Sequence, residues 1–142
     1  MYIAGDGEEK ENIQKWIREH NINNVTLLGH VSQEQLFLYM ENAHFFITMS
    51  HEDHLPNVLK EAMINKCVVI SSDTTGIDEL IDHGVSGFIV PHNNYLKSID
   101  YLKETILNPY KYTQISESGY QSVLLKFDVK KSVSHYLEKW SN

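Results

Sequence analysis

The chain is poor in cysteine, in positive charge and in long apolar runs. Its single cysteine, Cys67, excludes an internal disulfide framework and is typical of a reducing compartment. Because it adjoins a Val-Val-Ile run, we expect a buried, unreactive thiol. Lysine and arginine total 12 against 19 acidic residues, and the net charge of −7 argues against a nucleic-acid partner. No apolar run approaches a membrane span and no secretory-signal pattern opens the chain, so we expect a cytoplasmic protein without a transmembrane segment.

What is present is the composition of one soluble globular domain, with 142 residues, 42% of them hydrophobic and 22% charged. The predicted strands cover residues 1–4, 25–28, 43–49, 67–70 and 88–90. The predicted helices with both ends assigned cover residues 8–20, 77–81, 95–107, 109–125 and 128–140. Two more lie between the first pair: one is opened by the capping-box pair Ser32 and Gln35, and the other ends near residues 65–66. The last helix is capped by Phe127-Asp128. This order predicts a doubly wound, Rossmann-like α/β fold with a mostly parallel sheet and C-terminal helices.

The segment 50–63 has the pattern expected of a ligand site. The apolar run before it predicts a buried parallel strand, and Pro56 suits a first helical turn. Four apolar residues then repeat at helical spacing: Val58, Leu59, Ala62 and Met63. Open α/β sheets bind ligands at the carboxyl ends of their strands, and the free amides at a helix start suit a phosphate.

Two carboxylates in this segment are candidates for chemistry. Asp53 lies in the loop and Glu61 two helical turns further on, with seven residues between them. They could bind the hydroxyls of a polyol, since ionised carboxylates are strong acceptors, while the amides of residues 55–58, except the proline at 56, hold a phosphate. Simpler interpretations stay open: Asp53 as a helix N-terminal acid, and Glu61 as a solvent-facing carboxylate paired with Lys60 or Asn65.

Two other patterns point to chemistry that we do not expect. Gly5-Asp6-Gly7 follows a strand, but the third glycine of a dinucleotide fingerprint is absent and two glutamates follow, so a structural turn is favoured over NAD binding. His51 and His54 are three residues apart rather than the four of a zinc-protease helix, and nothing demands Asp73 or His83 as further ligands. We expect neither a metal nor a cofactor.

The run from Asp53 to Met63, D-H-L-P-N-V-L-K-E-A-M, resembles the motif of two glutamates with seven residues between them in the glycosyl transferases group 1 family, whose usual form is E-G-F-P-N-V-L-L-E-A-M. Four further segments resemble the family in the same order: Gly5-Asp6-Gly7 and residues 25–31, 68–79 and 84–91. The family comprises retaining nucleotide-sugar glycosyltransferases of the GT-B fold. The resemblance implies that residues 1–142 form a single C-terminal domain that binds the nucleoside-diphosphate sugar, as one half of such a fold.

The resemblance also implies roles for individual residues. Asp53 and Glu61 would be the catalytic pair, Glu61 on the ribose hydroxyls and Asp53 on those of the transferred sugar, with Glu52 as the alternative to Asp53. His30 and Val31 would flank the base. The diphosphate would contact the backbone of the loop and first helical turn: His54, Leu55, Pro56, Asn57 and Val58. Additional candidates are Gly5, Gly7, Thr75 and Gly76. No metal is needed in this fold, because the helix terminus and basic side chains neutralise the leaving diphosphate.

Several of the chain's departures from the family pattern bear on function. Asp53 replaces the first glutamate, and His54 replaces a glycine that allows close backbone approach. Asp78 replaces the usual proline, and Thr75 replaces one of the paired glycines. These departures bear on the sugar preference and on activity.

The family's Arg and Lys that neutralise the diphosphate lie upstream of G-D-G, and this sequence begins after them. We therefore expect a domain without its first strand and helix and without the N-terminal acceptor domain, from a shortened form or a split reading frame. Such a chain would hold one wall of the cleft, bind nucleoside diphosphates weakly and be inactive alone. Its exposed sheet edge would favour self-association. The full protein could associate peripherally with a membrane.

The expected function is transfer of a sugar, with retention at the anomeric carbon, to a glycan or lipid-linked acceptor in the synthesis of a surface polysaccharide or lipopolysaccharide. Two alternatives stay open: a non-catalytic assembly module with the same fold, and a nucleotide-sugar epimerase of that fold. The P-N-V-L-x-E-A-M pattern argues against the epimerase.

Overall fold

A computed structural model describes residues 1–50 and 57–127 of the chain. The strands in these ranges are β1 (Tyr2–Ala4), β2 (Thr26–Gly29), β3 (Phe45–Thr48), β4 (Val68–Ser72) and β5 (Phe88–Val90). The helices are α1 (Lys10–Glu19), α2 (Gln33–Glu41), α3 (Asn57–Ile64), α4 (Ile77–Leu80), α5 (Lys97–Ile106) and α6 (Pro109–Lys126). The predicted last helix and its cap at Asp128 lie outside the described residues.

Every hydrogen-bonded pair of strands in the described ranges is parallel, and strands alternate with helices from β1 to α5. The predicted doubly wound α/β class is therefore confirmed. The hydrogen bonds form two ladders, β1-β2 and β3-β4-β5, rather than one continuous sheet. In the described part of the chain, β1 and β3 are each hydrogen-bonded to one neighbouring strand only.

The chain divides into two compact units, residues 1–39 and the part from Met40 onward. The first unit holds β1, α1, β2 and most of α2. The second holds the remaining strands and helices, and it contains every buried hydrophobic residue of the described ranges.

β4 is the central strand of the second unit and is buried along its whole length, as its apolar run predicted. Val68 and Ile70 of this strand cluster with Phe88 of β5 and Ile115 of α6. β3 is less buried than predicted, since Ile47 is 39% exposed. The physical reason is that β3 pairs with β4 alone among the described strands, so it is an edge strand there.

Helix α6 packs directly on the turn that leads into β5. A Cβ atom at Gly119 would lie 2.8 Å from the carbonyl oxygen of Ser86. A Cβ atom at Gly87 would lie 2.6 Å from a methyl carbon of Val69. The Gly84 amide donates to the Gly87 carbonyl oxygen at 2.8 Å and closes the turn. Both approaches need residues without side chains, so glycine is required at 87 and 119 for packing.

Helix ends follow local sequence signals. The Asn108 side chain accepts a hydrogen bond from the Lys111 amide at 3.1 Å, and Pro109 occupies the first turn of α6. Helix α3 ends before Lys66, whose φ of 59° is left-handed.

No helix within residues 1–50 and 57–127 is long and apolar enough to cross a bilayer.

Cys67 is buried, as predicted from its neighbours. Its thiol donates hydrogen bonds to the carbonyl oxygens of Met40 at 3.3 Å and Ala43 at 3.4 Å. Burial raises the pKa of this thiol to about 11, so almost none of it is thiolate at neutral pH. The structure therefore favours a packing role for Cys67.

Candidate functional site

In the first unit the candidate residues lie in the turns after β1 and β2. Because the two strands are parallel, their carboxyl ends lie at the same edge, and the Gly5 amide donates to the Gly29 carbonyl oxygen at 2.8 Å. Gly29 is buried with φ +69°, a left-handed conformation that glycine adopts without strain. His30 and Val31 follow directly, the first exposed and the second half-buried. The candidates for the base, His30 and Val31, and the candidate Gly5 therefore share one edge of this unit.

The turn after β1 carries an ion pair that the sequence reasoning missed. The Lys10 ammonium lies 2.7 Å from a carboxylate oxygen of Asp6. This hydrogen bond and the charge of Lys10, with a smaller contribution from His30, hold the pKa of the Asp6 carboxyl below its usual value. The helical rule for residues four apart gave no signal here, because Asp6 lies in the turn before α1 and only Lys10 belongs to the helix.

The helix after β2 begins with the capping box that the sequence predicts. The Ser32 amide donates to the side-chain oxygen of Gln35 at 2.9 Å, and the Gln35 amide donates to the Ser32 hydroxyl at 3.2 Å. Both hydrogen bonds of the motif are present, so this prediction is confirmed. The start of α2, and with it the position of Val31, is set by these bonds.

In the second unit the loops after β3 and β4 begin side by side. Thr48 of β3 is in register with Ser71 of β4. The Ser72 hydroxyl donates to the carbonyl oxygen of Ser50, which joins the end of β4 to the loop that leads to α3. This link could not be predicted from the sequence, because it depends on strand register.

Helix α3 carries the second candidate carboxylate. Leu59, Ala62 and Met63 are fully buried, which confirms the predicted apolar face, whereas Val58 and Glu61 are half-buried. Glu61 is therefore adjacent in sequence to a buried residue and is fixed to a helix whose other face lies in the core.

The neighbours of Glu61 make contacts of their own. The Lys60 ammonium donates to the Asn57 side chain at 3.2 Å and lies 4.5 Å from the centre of the Phe127 ring. The side-chain amide of Asn65 donates to the backbone carbonyl oxygen of Glu61 at 2.9 Å. These contacts anchor the first and last turns of α3.

The loop after β4 contains the remaining candidates. Thr75 is exposed, and Gly76, with φ +81°, is half-buried just before α4. Thr74, which lies between the end of β4 and Thr75, is buried, and its hydroxyl has no hydrogen-bond partner among the described residues. Asp78, at the family's proline position, is exposed in the first turn of α4.

The first carboxylate and most of the predicted diphosphate loop lie outside the described residues: Glu52, Asp53, His54, Leu55 and Pro56. The described candidates divide between the units, with Gly5, Gly7, His30 and Val31 in the first and Asn57, Val58, Glu61, Thr75 and Gly76 in the second. In the first unit the backbone hydrogen bond from Gly5 to Gly29 joins the two turns that carry Gly5 and His30.

Two residues weighed as extra metal ligands have other surroundings. The ring nitrogen Nδ1 of His83 accepts a hydrogen bond from the Ile89 amide at 3.0 Å, and the ring packs edge-on against Tyr101. Asp73 is exposed, and its amide donates to the Val90 carbonyl oxygen at 2.9 Å. Within the described ranges no three side chains of His, Cys, Asp or Glu come together as metal ligands.

Parallel strands, crossover helices and candidate residues at the carboxyl ends of the strands define a Rossmann-like ligand-binding architecture. The family model for glycosyl transferases group 1 matches residues 1–122, and the chain belongs to that family.

Relatives with curated names have the same affiliation. An uncharacterized glycosyltransferase of Haemophilus influenzae is 27% identical over 145 residues, covering 99% of this chain and 38% of that protein. The amylovoran biosynthesis glycosyltransferase AmsK of Erwinia amylovora is 31% identical over 99 residues, covering 65% of this chain and 24% of that protein. The chain thus spans roughly a quarter to two-fifths of the length of these relatives.

Solved structures have the same fold. Anabaena Alr3699/HepE, determined in complex with UDP and glucose, has a TM-score of 0.82 at 21% identity, covering 99% of this chain and 40% of that one. TarM has a TM-score of 0.83 at 22% identity, covering 96% of this chain and 28% of that one. These likenesses confirm the predicted fold, a Rossmann-like half of the GT-B type.

Proposed function

We propose that the chain is the C-terminal, donor-binding part of a retaining glycosyltransferase. It would bind a nucleoside-diphosphate sugar. The full protein would transfer the sugar to a glycan or lipid-linked acceptor in the synthesis of a surface polysaccharide or lipopolysaccharide. The transfer would need no metal and would take place at the cytoplasmic face of a membrane. The observation that carries the proposal is Glu61. It lies half-buried on the helix after β3, at the second acid of the family motif and within the matched residues 1–122.

The names of related proteins support a nucleotide sugar and a carbohydrate product. AmsK acts in amylovoran biosynthesis. A relative from Streptomyces kanamyceticus, 28% identical over 90 residues, is an alpha-D-kanosaminyltransferase. The Anabaena protein of the same fold was determined with UDP-glucose as well as with UDP and glucose.

Helix α3 has the properties that the donor would use. Its buried face fixes the backbone, so the Glu61 carboxylate can be held in place to accept hydrogen bonds from two ribose hydroxyls. If the described start of α3 at Asn57 is the start of the helix, its first backbone amides and the positive end of the helix dipole would face the diphosphate. The charge that develops on the leaving diphosphate would be stabilised there. Asp53, or Glu52 in its place, would bind the hydroxyls of the transferred sugar.

His30 and Val31 would flank the base, as the family resemblance implies. His30 and Val31 follow a buried glycine whose φ is +69°, and the capping box holds the residues that come next. A turn held from both sides can present its backbone amides and carbonyl groups to the edge of a base with little loss of entropy on binding.

The strand edges support a larger domain. β1 has one paired edge, with β2, and β3 has one paired edge, with β4, among the described strands. Each unpaired edge has backbone groups that a further parallel strand could satisfy. In the proposed larger protein, further strands would supply this pairing.

The proposal is tested by titrating the 142-residue chain with UDP, UDP-glucose, GDP and ADP, observed through backbone amide chemical shifts. We expect weak binding, with the largest changes at residues 57–61 and 29–31. Glu61→Gln removes the charge at nearly constant shape. Because a hydrogen bond to a charged group contributes about 1.5–3 kcal/mol, we expect at least about tenfold weaker binding of the preferred nucleotide.

Glu11→Gln is the matched control, since Glu11 is an exposed glutamate in the first turn of α1. It should leave the dissociation constant unchanged. Shift changes that avoid α3 altogether, or equal binding by Glu61→Gln and the parent chain, would contradict the proposal. Nucleotide binding without sugar transfer or donor hydrolysis by the full protein would instead identify a non-catalytic module.

A further inference from the structure

The turns after β1 and β2 are joined at a second point besides the backbone hydrogen bond of Gly5. Lys10, the first residue of α1, extends its ammonium group to Asp6 at 2.7 Å. A Cβ atom at Gly29 would lie 3.3 Å from this same ammonium nitrogen. The Lys10 side chain therefore passes directly over the Gly29 backbone, and it can do so because residue 29 has no side chain.

The residues that follow Gly29 are held from the other side by α2. The capping box of Ser32 and Gln35 fixes the helix start. His30 and Val31 thus lie between two fixed points, with Lys10 on the strand side and the capping box on the helix side. The pKa of the Asp6 carboxyl is lowered mainly by Lys10 and to a smaller extent by His30, so both side chains act on Asp6 at this edge.

We propose that Lys10 is a positioning residue for recognition of the sugar donor: its ammonium group, held by Asp6 over the Gly29 backbone, fixes the turn that presents His30 and Val31. This inference rests on the proposed function, in which His30 and Val31 flank the base. It adds a residue that acts through the turn and does not touch the donor.

The competing explanation is an ordinary surface ion pair. Lys10 and Asp6 are 42% and 55% exposed, and pairs of that kind contribute little to stability. The same helix offers a comparison, because Lys15 and Glu19 form an exposed pair with the same spacing at 3.8 Å. Lys15 contacts no strand-end turn through that pair. A difference between variants of the two lysines therefore isolates the effect of the turn.

The test compares Lys10→Met, Lys10→Arg and Lys15→Met in the full chain, each titrated with UDP and with pyrophosphate. Lys10→Met should weaken UDP binding at least about fivefold, the lower end of the usual range for coupled positions. It should leave pyrophosphate binding unchanged, because pyrophosphate lacks the base. Lys10→Arg should recover binding to within about twofold of the parent, since an arginine keeps the charge and hydrogen bonds. Lys15→Met should match the parent.

Two outcomes of the titrations would overturn the inference. Equal UDP binding by Lys10→Met and Lys15→Met means that the pair is only a surface ion pair. An equal loss for UDP and pyrophosphate means that the Lys10 charge acts on phosphate rather than through the turn.

Amide hydrogen exchange separates failure of this inference from failure of the proposed function. Lys10→Met should speed exchange at His30 and Val31 while leaving α6 unchanged, and Lys15→Met should not. If the parent chain binds none of UDP, UDP-glucose, GDP and ADP, the proposed function fails, and the donor role of Lys10 fails with it. Unchanged exchange at His30 and Val31 in Lys10→Met overturns the positioning role whatever the nucleotide result.

Discussion

Replacing Gly119 by alanine tests whether α6 packs on the turn before β5 as closely as the structure shows. The new methyl group would lie 2.8 Å from the Ser86 carbonyl oxygen and 3.4 Å from the Met63 methyl carbon. The Met63 contact is an ordinary one. The Ser86 contact requires the helix or the turn to move by about half an ångström, because a backbone oxygen cannot rotate away.

Two opposing terms set the magnitude. Alanine is favoured over glycine inside a helix by about 1 kcal/mol. Overpacking a close contact costs about 1–3 kcal/mol. We expect Gly119→Ala to lower the free energy of unfolding by about 1 kcal/mol, which corresponds to a Tm lower by about 3–5 °C for a chain of this length.

The measurement is urea unfolding followed by circular dichroism, with Ser118→Ala as the control. Ser118 is half-buried on the same helix, and its replacement should be neutral or slightly stabilising. If Gly119→Ala unfolds at the same urea concentration as the parent or a higher one, the helix does not approach Ser86 this closely.

The remaining predictions concern the buried thiol and the helix starts. Because burial raises the pKa of Cys67 to about 11, the native state keeps this proton above pH 9 while the unfolded state releases it. The stability that this group contributes is therefore fully present below pH 9 and declines as the pH rises to 11. Cys67→Ala should remove that part of the pH dependence. The measurement is the unfolding midpoint from pH 7 to 10.5. Ser32→Ala should cost about 1 kcal/mol of unfolding free energy, since it breaks the capping box, and it should also broaden the amide resonance of Val31. Asn108→Ala should cost a similar amount and Asn108→Asp almost none, because the carboxylate still accepts from the Lys111 amide; equal losses in the two variants would exclude a capping role for residue 108.

The order of elements could be predicted from the sequence because it depends on local periodicity and capping. Residues 67–70 form a continuous apolar run, and β4, which includes most of that run, is buried at every position. Ser32 and Gln35 form both predicted hydrogen bonds, since a capping box is complete within one helical turn. The periodicity of α3 likewise placed Leu59, Ala62 and Met63 in the core.

What could not be predicted depends on contacts between distant residues. The burial of Ile47 was overestimated, because an apolar run does not reveal whether a strand has one neighbour or two. The bond from Ser72 to Ser50 follows from strand register, and the approach of Gly119 to Ser86 depends on how α6 packs. Within the candidate site, His30 and Glu61 could be predicted as candidates because they lie in segments that resemble the family. Lys10 was missed because its role depends on a glycine nineteen residues further along the chain.

The central claim is retaining sugar transfer from a nucleotide sugar, and the anomer released on donor hydrolysis tests it most directly. The full protein would be incubated with the UDP-sugar that binds best, and the first sugar released would be observed by proton NMR before it mutarotates. We predict release of the same anomer as in the donor, abolished by Glu61→Gln and kept by Glu11→Gln. Release of the opposite anomer, or unchanged hydrolysis by Glu61→Gln, would contradict the account.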